Sequence, residues 1–238
     1  PGPVTGPLHL CPTCEHLGAE TPPPPSPSRE GRGIAAVLVL ALMACLPLRF
    51  AVADPVEVHA RRVPLDTRAP ERMRVGSVES LAGFELIGLD RRWGGFSSMI
   101  LTETGDALLA VSDFGHWLRL ELAHDAAGRL TGVGAAELGD LPGPDGGRLE
   151  HKPDGDAEGL TVAPEGGLLV AFERRHRFWL YSGEPPFGAA PASYPAPEAI
   201  VALPDNSGIE SLATLPGPRL LAIAEGEEDG DGEIPGWL

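Results

Sequence analysis

The pattern of apolar and polar positions changes twice along the chain. From Gly33 to Leu48 the residues GIAAVLVLALMACLPL form an unbroken apolar run. From Leu81 onward the apolar runs are short, rich in Val, Ile, Leu and Phe, and interrupted by Gly, Pro and Asp. Short runs between turn residues predict β-strands rather than helices. Between these regions Asp54–Ser80 is polar and carries several Arg residues, a lead-in with one predicted strand around Val56–His59.

Three stretches of the β region line up. In the first, Ser98–Leu101 precedes a turn at Glu103–Asp106 and the run Ala107–Asp113. In the second, Glu158–Val162 precedes a turn at Pro164–Gly167 and the run Leu168–Glu173. In the third, Glu210–Thr214 precedes a turn at Pro216–Pro218 and the run Leu220–Glu225. Each unit is a hairpin with room for two more strands, such as Trp117–Leu122 and Phe178–Tyr181. Units of about four strands predict blades; the units recur after 60 and then 52 residues, and known blade repeats run to about 40–50. The expected fold is all-β: a β-propeller, here incomplete, with about three blades of a ring that needs about 4–8. The structural alternative is a β-sandwich with coincidental repeats.

The alignment also brings acids into register. Ser98, Glu158 and Glu210 fall at one position, and Asp113, Glu173 and Glu225 at another. Carboxylates converging on one axis repel unless a cation neutralises them. Hard oxygen ligands suit Ca²⁺. Asp113, Asp156, Glu158, Glu173, Glu210 and Glu225 are therefore the candidate metal ligands, with Ca²⁺ as the expected cofactor and Asn206 as a further oxygen donor. Glu225–Glu233 is a second acidic stretch, without the spacing of an EF-hand. The plain alternative is a set of solvated turn acids.

His116 and His176 repeat as well, each three residues beyond an aligned acid. They are the candidate catalytic residues, as acid–base groups or oxyanion binders. Arg174 and Arg175, in the turn Arg174-Arg175-His176-Arg177, are the candidate substrate-binding residues, because guanidinium pairs bidentately with phosphate. The alternative is a basic surface turn that balances nearby acids. His59, His124 and His151 have no repeat partner and are expected to be exposed.

Composition narrows the functional classes. The chain has 31 Gly, 26 Pro and 5% aromatic residues, as a turn-rich protein should. Its net charge of −16 argues against a nucleic-acid partner, which needs a basic face. The cysteines, Cys11, Cys14 and Cys45, all precede Asp54, so cysteine chemistry is not expected beyond it. Cys11 and Cys14 lack the other half of a four-ligand zinc site, and Glu15 stands where haem attachment needs His. No nucleophile elbow, P-loop or dinucleotide fingerprint follows Asp54.

Residues 1–32, including TPPPPSPSREGRG, are predicted to be an unstructured low-complexity leader. Arg29 and Arg32, the apolar run and Ala51-Val52-Ala53 give the order of a signal peptide over residues 33–53, cleaved after Ala53. The run is short for a membrane span, which takes about 20 apolar residues. An uncleaved anchor and lipid attachment at Cys45 are the alternatives. The mature chain is expected to be periplasmic or secreted, monomeric, and free of a stable membrane span. Residues 54–80 then lead into a domain over 81–238 that is expected to stop short at its C-terminus.

Five motifs in order carry a family resemblance. They are Gly94-Gly95-Phe96-Ser97, Leu109–Trp117, Asp156–Leu160, Phe172–Arg177 and Gly208–Leu212. Together they resemble the phytase-like family of exported bacterial proteins, described as having esterase-like activity of phytase. The resemblance covers roughly Gly83 to Leu238. It implies a propeller and Ca²⁺-assisted hydrolysis of a small-molecule phosphoric or other ester. Two other functions are weighed beside it: a non-catalytic propeller that binds a ligand or partner in the cell envelope, and a lactonase-like hydrolase.

Overall fold

The computed structural model describes residues 53–225 and 234–238. The leader, the signal-peptide run before Ala53 and the acidic stretch over 226–233 lie outside the described residues. The strands run in the order β1 (Asp54–Val56), β2 (Val58–Arg62), β3 (Arg74–Val75), β4 (Val78–Glu79), β5 (Phe84–Gly88), β6 (Phe96–Leu101), β7 (Ala107–Ser112), β8 (His116–His124) and β9 (Leu130–Asp140). A single helical turn, α1 (Lys152–Gly155), leads into β10 (Ala157–Val162), β11 (Leu168–Phe172), β12 (Arg177–Tyr181) and β13 (Ala192–Tyr194). A second turn, α2 (Glu198–Val201), precedes β14 (Ile209–Leu215), β15 (Arg219–Ala224) and β16 (Gly236–Trp237).

The molecule is all-β, with antiparallel pairing throughout the described strands. Three sheets follow one another along the chain. Their strand orders are β1-β9-β8-β7-β6, β10-β11-β12-β13 and β14-β15-β16. Two ribbons, β2-β5 and β3-β4, precede them. The sheets close no barrel among the described residues. The lead-in is more structured than its polarity suggests. It holds β1 to β4, and β1 adds a fifth strand to the first sheet by pairing with β9. Arg92 ties that edge down by bonding both Asp54 and Asp90 at 2.9 Å.

The core is layered between these sheets. Val58 and Leu86 of the β2–β5 ribbon pack on Leu118, Leu120 and Leu138, the outer face of the first sheet. Leu109, Val111 and Trp117 of the first sheet meet Leu160, Val170, Phe172 and Tyr181 of the second. Leu169, Ala171 and Phe178 of the second meet Leu212, Ala222 and Ala224 of the third. Strand β11 therefore buries both faces: Val170 and Phe172 face one neighbour, Leu169 and Ala171 the other. That is why Leu168–Phe172 reads as a continuous apolar run and not as an alternation.

Turn chemistry fixes each hairpin. Asp106 accepts the hydroxyls of Thr102 at 2.8 Å and Thr104 at 2.6 Å, and Gly105 takes φ 70°. In the next hairpin Gly167 has φ 87°, and a Cβ there would lie 2.9 Å from the Tyr181 carbonyl oxygen. The first strands of the three sheets lie together, with β10 against both β6 and β14. Leu160 N–H donates to Ser98 Oγ at 3.0 Å on one side of β10. Thr214 N–H donates to Thr161 Oγ1 at 3.2 Å on the other.

Candidate functional site

The site begins with an irregularity common to β6, β10 and β14. Each carries one extra residue relative to its partner strand: Ser97, Glu158 and Glu210, flanked by shifts at Phe96/Ser98, Ala157/Gly159 and Ile209/Ser211. A bulge bends its strand and re-aims the extra side chain. Just beyond each bulge the same backbone bond closes the hairpin mouth. Asp113 N–H donates to Gly95 O at 2.9 Å, Glu173 N–H to Asp156 O at 2.8 Å, and Glu225 N–H to Gly208 O at 2.8 Å.

Asp113, Glu173 and Glu225 thus hold equivalent places. The other register needs correction: the partner of Glu158 and Glu210 is Ser97, not Ser98. The first hairpin pairs Leu101 with Leu108, whereas the second pairs Val162 with Leu168, so the first loop is one residue longer. Counting back across that loop shifts the alignment by one. Ser98 instead receives the Leu160 N–H of the next sheet.

The acids of the second and third mouths converge. Carboxylate oxygens of Asp156, Glu158 and Glu173 lie within 4.8 Å of one another, as do those of Glu173, Glu210 and Glu225. Glu173 belongs to both groups and is buried, as is Asp156, while Glu210 and Glu225 stand at the exposed rim. The Glu173 side chain is fixed by the Gly208 N–H, which donates to its Oε1 at 3.1 Å. Gly208 is required for this approach, since a Cβ would come within 2.9 Å of Glu173 Cγ.

Two cations serve one end of the cluster. Asp156 Oδ1 accepts from Lys152 Nζ at 2.5 Å and its Oδ2 from Arg174 Nε at 2.6 Å. Lys152 also reaches Asp113, at 2.9 Å to Oδ2 and 3.1 Å to its carbonyl oxygen. Asp113 Oδ1 is buried without a hydrogen-bond partner among the described residues. Asp113 therefore sits beside Lys152 and outside the two carboxylate groups. By contrast, Glu158, Glu173, Glu210 and Glu225 form no ion pair among the described residues.

The electrostatics reflect this imbalance. Glu158 is pushed up to about 7, first by loss of water, then by Asp156 and Glu210, against a bond from Ser97 that favours its charge. Glu210 is raised too, by partial desolvation first and then by Glu225, Glu173 and Asp156. Crowded carboxyls resist ionising, and a cation bound among them would favour their charged forms.

The basic turn splits its side chains between different partners. Arg174, at φ 60° in the left-handed region, binds Asp156 and also donates to Asn206 Oδ1 at 3.3 Å. Arg175 pairs with Asp154, away from Asp156. His176 Nε2 donates to the Pro204 carbonyl at 2.8 Å, and its Nδ1 is buried without a partner among the described residues. His116 Nδ1 bonds Asp140 Oδ1 at 2.8 Å, which holds the Asp140 carboxyl below its usual range. Neither histidine bonds the clustered carboxylates.

Lys152, Ser97 and Gly208 were missed by sequence reasoning. Lys152 had a readable signal: it stands four residues before Asp156 in His151-Lys152-Pro153-Asp154-Gly155-Asp156. Gly208 had another, since it holds in the third unit the place of Asp156 in the second. Ser97 is visible only once the bulge is known.

No curated protein matches the sequence. Residues 91–236, which include every member of the carboxylate cluster and the basic turn, match the family model Phytase-like, described as esterase-like activity of phytase, and the chain belongs to that family.

Proposed function

We propose that the chain is an exported β-propeller hydrolase of phosphoric or related esters that works with a divalent cation. The observation that carries this reading is the pair of carboxylate groups sharing Glu173, four of whose five members have no ion-pair partner among the described residues. Ca²⁺ binds oxygens at about 2.3–2.6 Å, so ligands across the ion stand about 5 Å apart. The spacing of up to 4.8 Å within each group fits such an ion. Glu173, Glu210 and Glu225 would hold it, with Glu158 as a further ligand. Asp156 is already served by Lys152 and Arg174, and its part is to keep those cations in place.

When bound, the ion would act as a Lewis acid on the ester oxygen and favour attack by water near neutral pH. Of the two histidines, His116 is the better base, because the Asp140 carboxylate that accepts its Nδ1–H can balance the charge of the imidazolium, whereas His176 is buried against a neutral carbonyl. The propeller is supported by three successive antiparallel sheets whose first strands lie side by side. Export is supported by the order of charged, apolar and small residues before Asp54.

The test is hydrolysis of phytate and of aryl phosphates, with Ca²⁺ and with chelator. Turnover should require Ca²⁺ and fall about tenfold or more in Glu173→Gln. Equal rates in chelator, or no turnover of any ester, would contradict the proposal. Ligand binding without turnover would favour a non-catalytic propeller.

A further inference from the structure

A second site lies on the other side of the same two chain segments. Residues 154–156 send Asp156 to the carboxylate cluster and Asp154 to a cleft of about 750 Å³. The turn 173–177 likewise gives Glu173 to the cluster and Arg175 and Arg177 to the cleft. Arg148, His151 and Trp179 complete the wall that matters here. A volume in the range of about 300–1,000 Å³ is that of a small-molecule site.

Arg177 is the unusual member. Its guanidinium lies 4.2 Å from the Phe172 ring centroid and 4.1 Å from that of Trp179. Nη1 donates to the Arg175 carbonyl at 2.7 Å and Nη2 to the Asp154 carbonyl, which fixes the plane of the group. Burial lowers it to about 10. Yet it forms no ion pair with a carboxylate among the described residues. A desolvated cation held by carbonyls and rings is short of negative charge. Of the other cations of the cleft, Arg175 is paired with Asp154, Arg148 lies 3.7 Å from Asp140, and His151 is exposed. Asp145 and Glu150 also stand in the wall: Asp145 is turned to accept the Gly147 N–H at 2.9 Å, and Glu150 is exposed to solvent.

We infer that this cleft binds a small organic phosphate, its phosphate held by the guanidinium groups of Arg175 and Arg177 with Arg148 beside them, and its organic part along Leu149 and Trp179. Guanidinium forks match phosphate oxygens in pairs, and the apolar surface of Leu149 and Trp179 suits an apolar substituent. The inference rests on the hydrolase reading for the class of ligand, and it gives that class a second phosphate contact, separate from the carboxylate cluster.

The experiment is calorimetric titration of the full chain with phenyl phosphate, with benzoate and benzyl alcohol as comparisons, in chelator so that the carboxylate cluster is not engaged. Phenyl phosphate should bind, benzyl alcohol should not, and Arg175→Met and Arg148→Met should each weaken binding roughly tenfold. Arg61→Met, an exposed pair with Glu85 elsewhere, should leave it unchanged. Because Arg177→Met removes packing as well as charge, its melting curve is compared with that of Arg177→Lys. The weaker binding of both at unchanged folding supports the site. No binding of phenyl phosphate, equal binding of benzoate, or parental binding in Arg175→Met and Arg148→Met would overturn it. Binding without turnover of any ester would remove the hydrolase reading and leave the cleft intact. Ca²⁺-dependent turnover, with parental binding of phenyl phosphate in the cleft variants, would do the reverse.

Discussion

At the scale of single residues, the behaviour of Glu158 follows from its neighbours. Its carboxyl has an ordinary value of 4.5 and is raised to about 7 in the folded chain. The folded protein thus holds that proton more tightly than the unfolded chain does. Its contribution to stability is full below about pH 4.5 and is lost as pH rises through about 7. In chelator, the melting temperature of the parent should fall across that window relative to Glu158→Gln, which has no proton to lose. Parallel pH profiles for the two proteins would show that Glu158 is not perturbed. The acids themselves were legible in the sequence, because Asp113, Glu173 and Glu225 end three similar runs. Their partners were not. Lys152 and Arg174 reach Asp156 from a helical turn and a left-handed turn, and no apolar periodicity records either geometry.

At the scale of elements, two features set the site. Strand β11 is packed on both faces, so Leu169→Ala should cost about 2–5 kcal/mol. Met99, on β6, is largely exposed, and Met99→Ala should change stability by no more than about 0.5 kcal/mol. Chemical denaturation compares the two directly. The second feature is the approach of Gly208 to Glu173. Gly208→Ala removes no ligand, yet it should push Glu173 aside and weaken Ca²⁺ binding about tenfold, as measured by titration. Unchanged affinity would mean that Glu173 is not a ligand. The hairpins were readable from their apolar runs and turn residues. The bulges were not, because one extra residue in a strand leaves the apolar run unbroken and shows only in the pairing. The longer first loop then concealed the equivalence of Ser97 with Glu158.

At the scale of the whole molecule, the sheets stack so that their bulged mouths share one region, and charge gathers there. A chain of net charge −16 already repels itself, and four clustered acids without an ion-pair partner among the described residues add to that. A ligand that binds only the folded chain stabilises it in proportion to the logarithm of its concentration over Kd. Ca²⁺ should therefore raise the melting temperature, and chelator should reverse the rise. The β class and the succession of units were legible because each unit repeats its own turn signals. The fifth strand of the first sheet was not, because β1 comes from the polar lead-in and pairs with β9 across most of the first unit.

The most direct measurement is calorimetric titration of Ca²⁺ into the parent and into the double variant Glu173→Gln, Glu210→Gln. The account predicts a Ca²⁺ site in the parent that is lost in the double variant while folding is retained. No binding by the parent, or equal binding by the two, would contradict it.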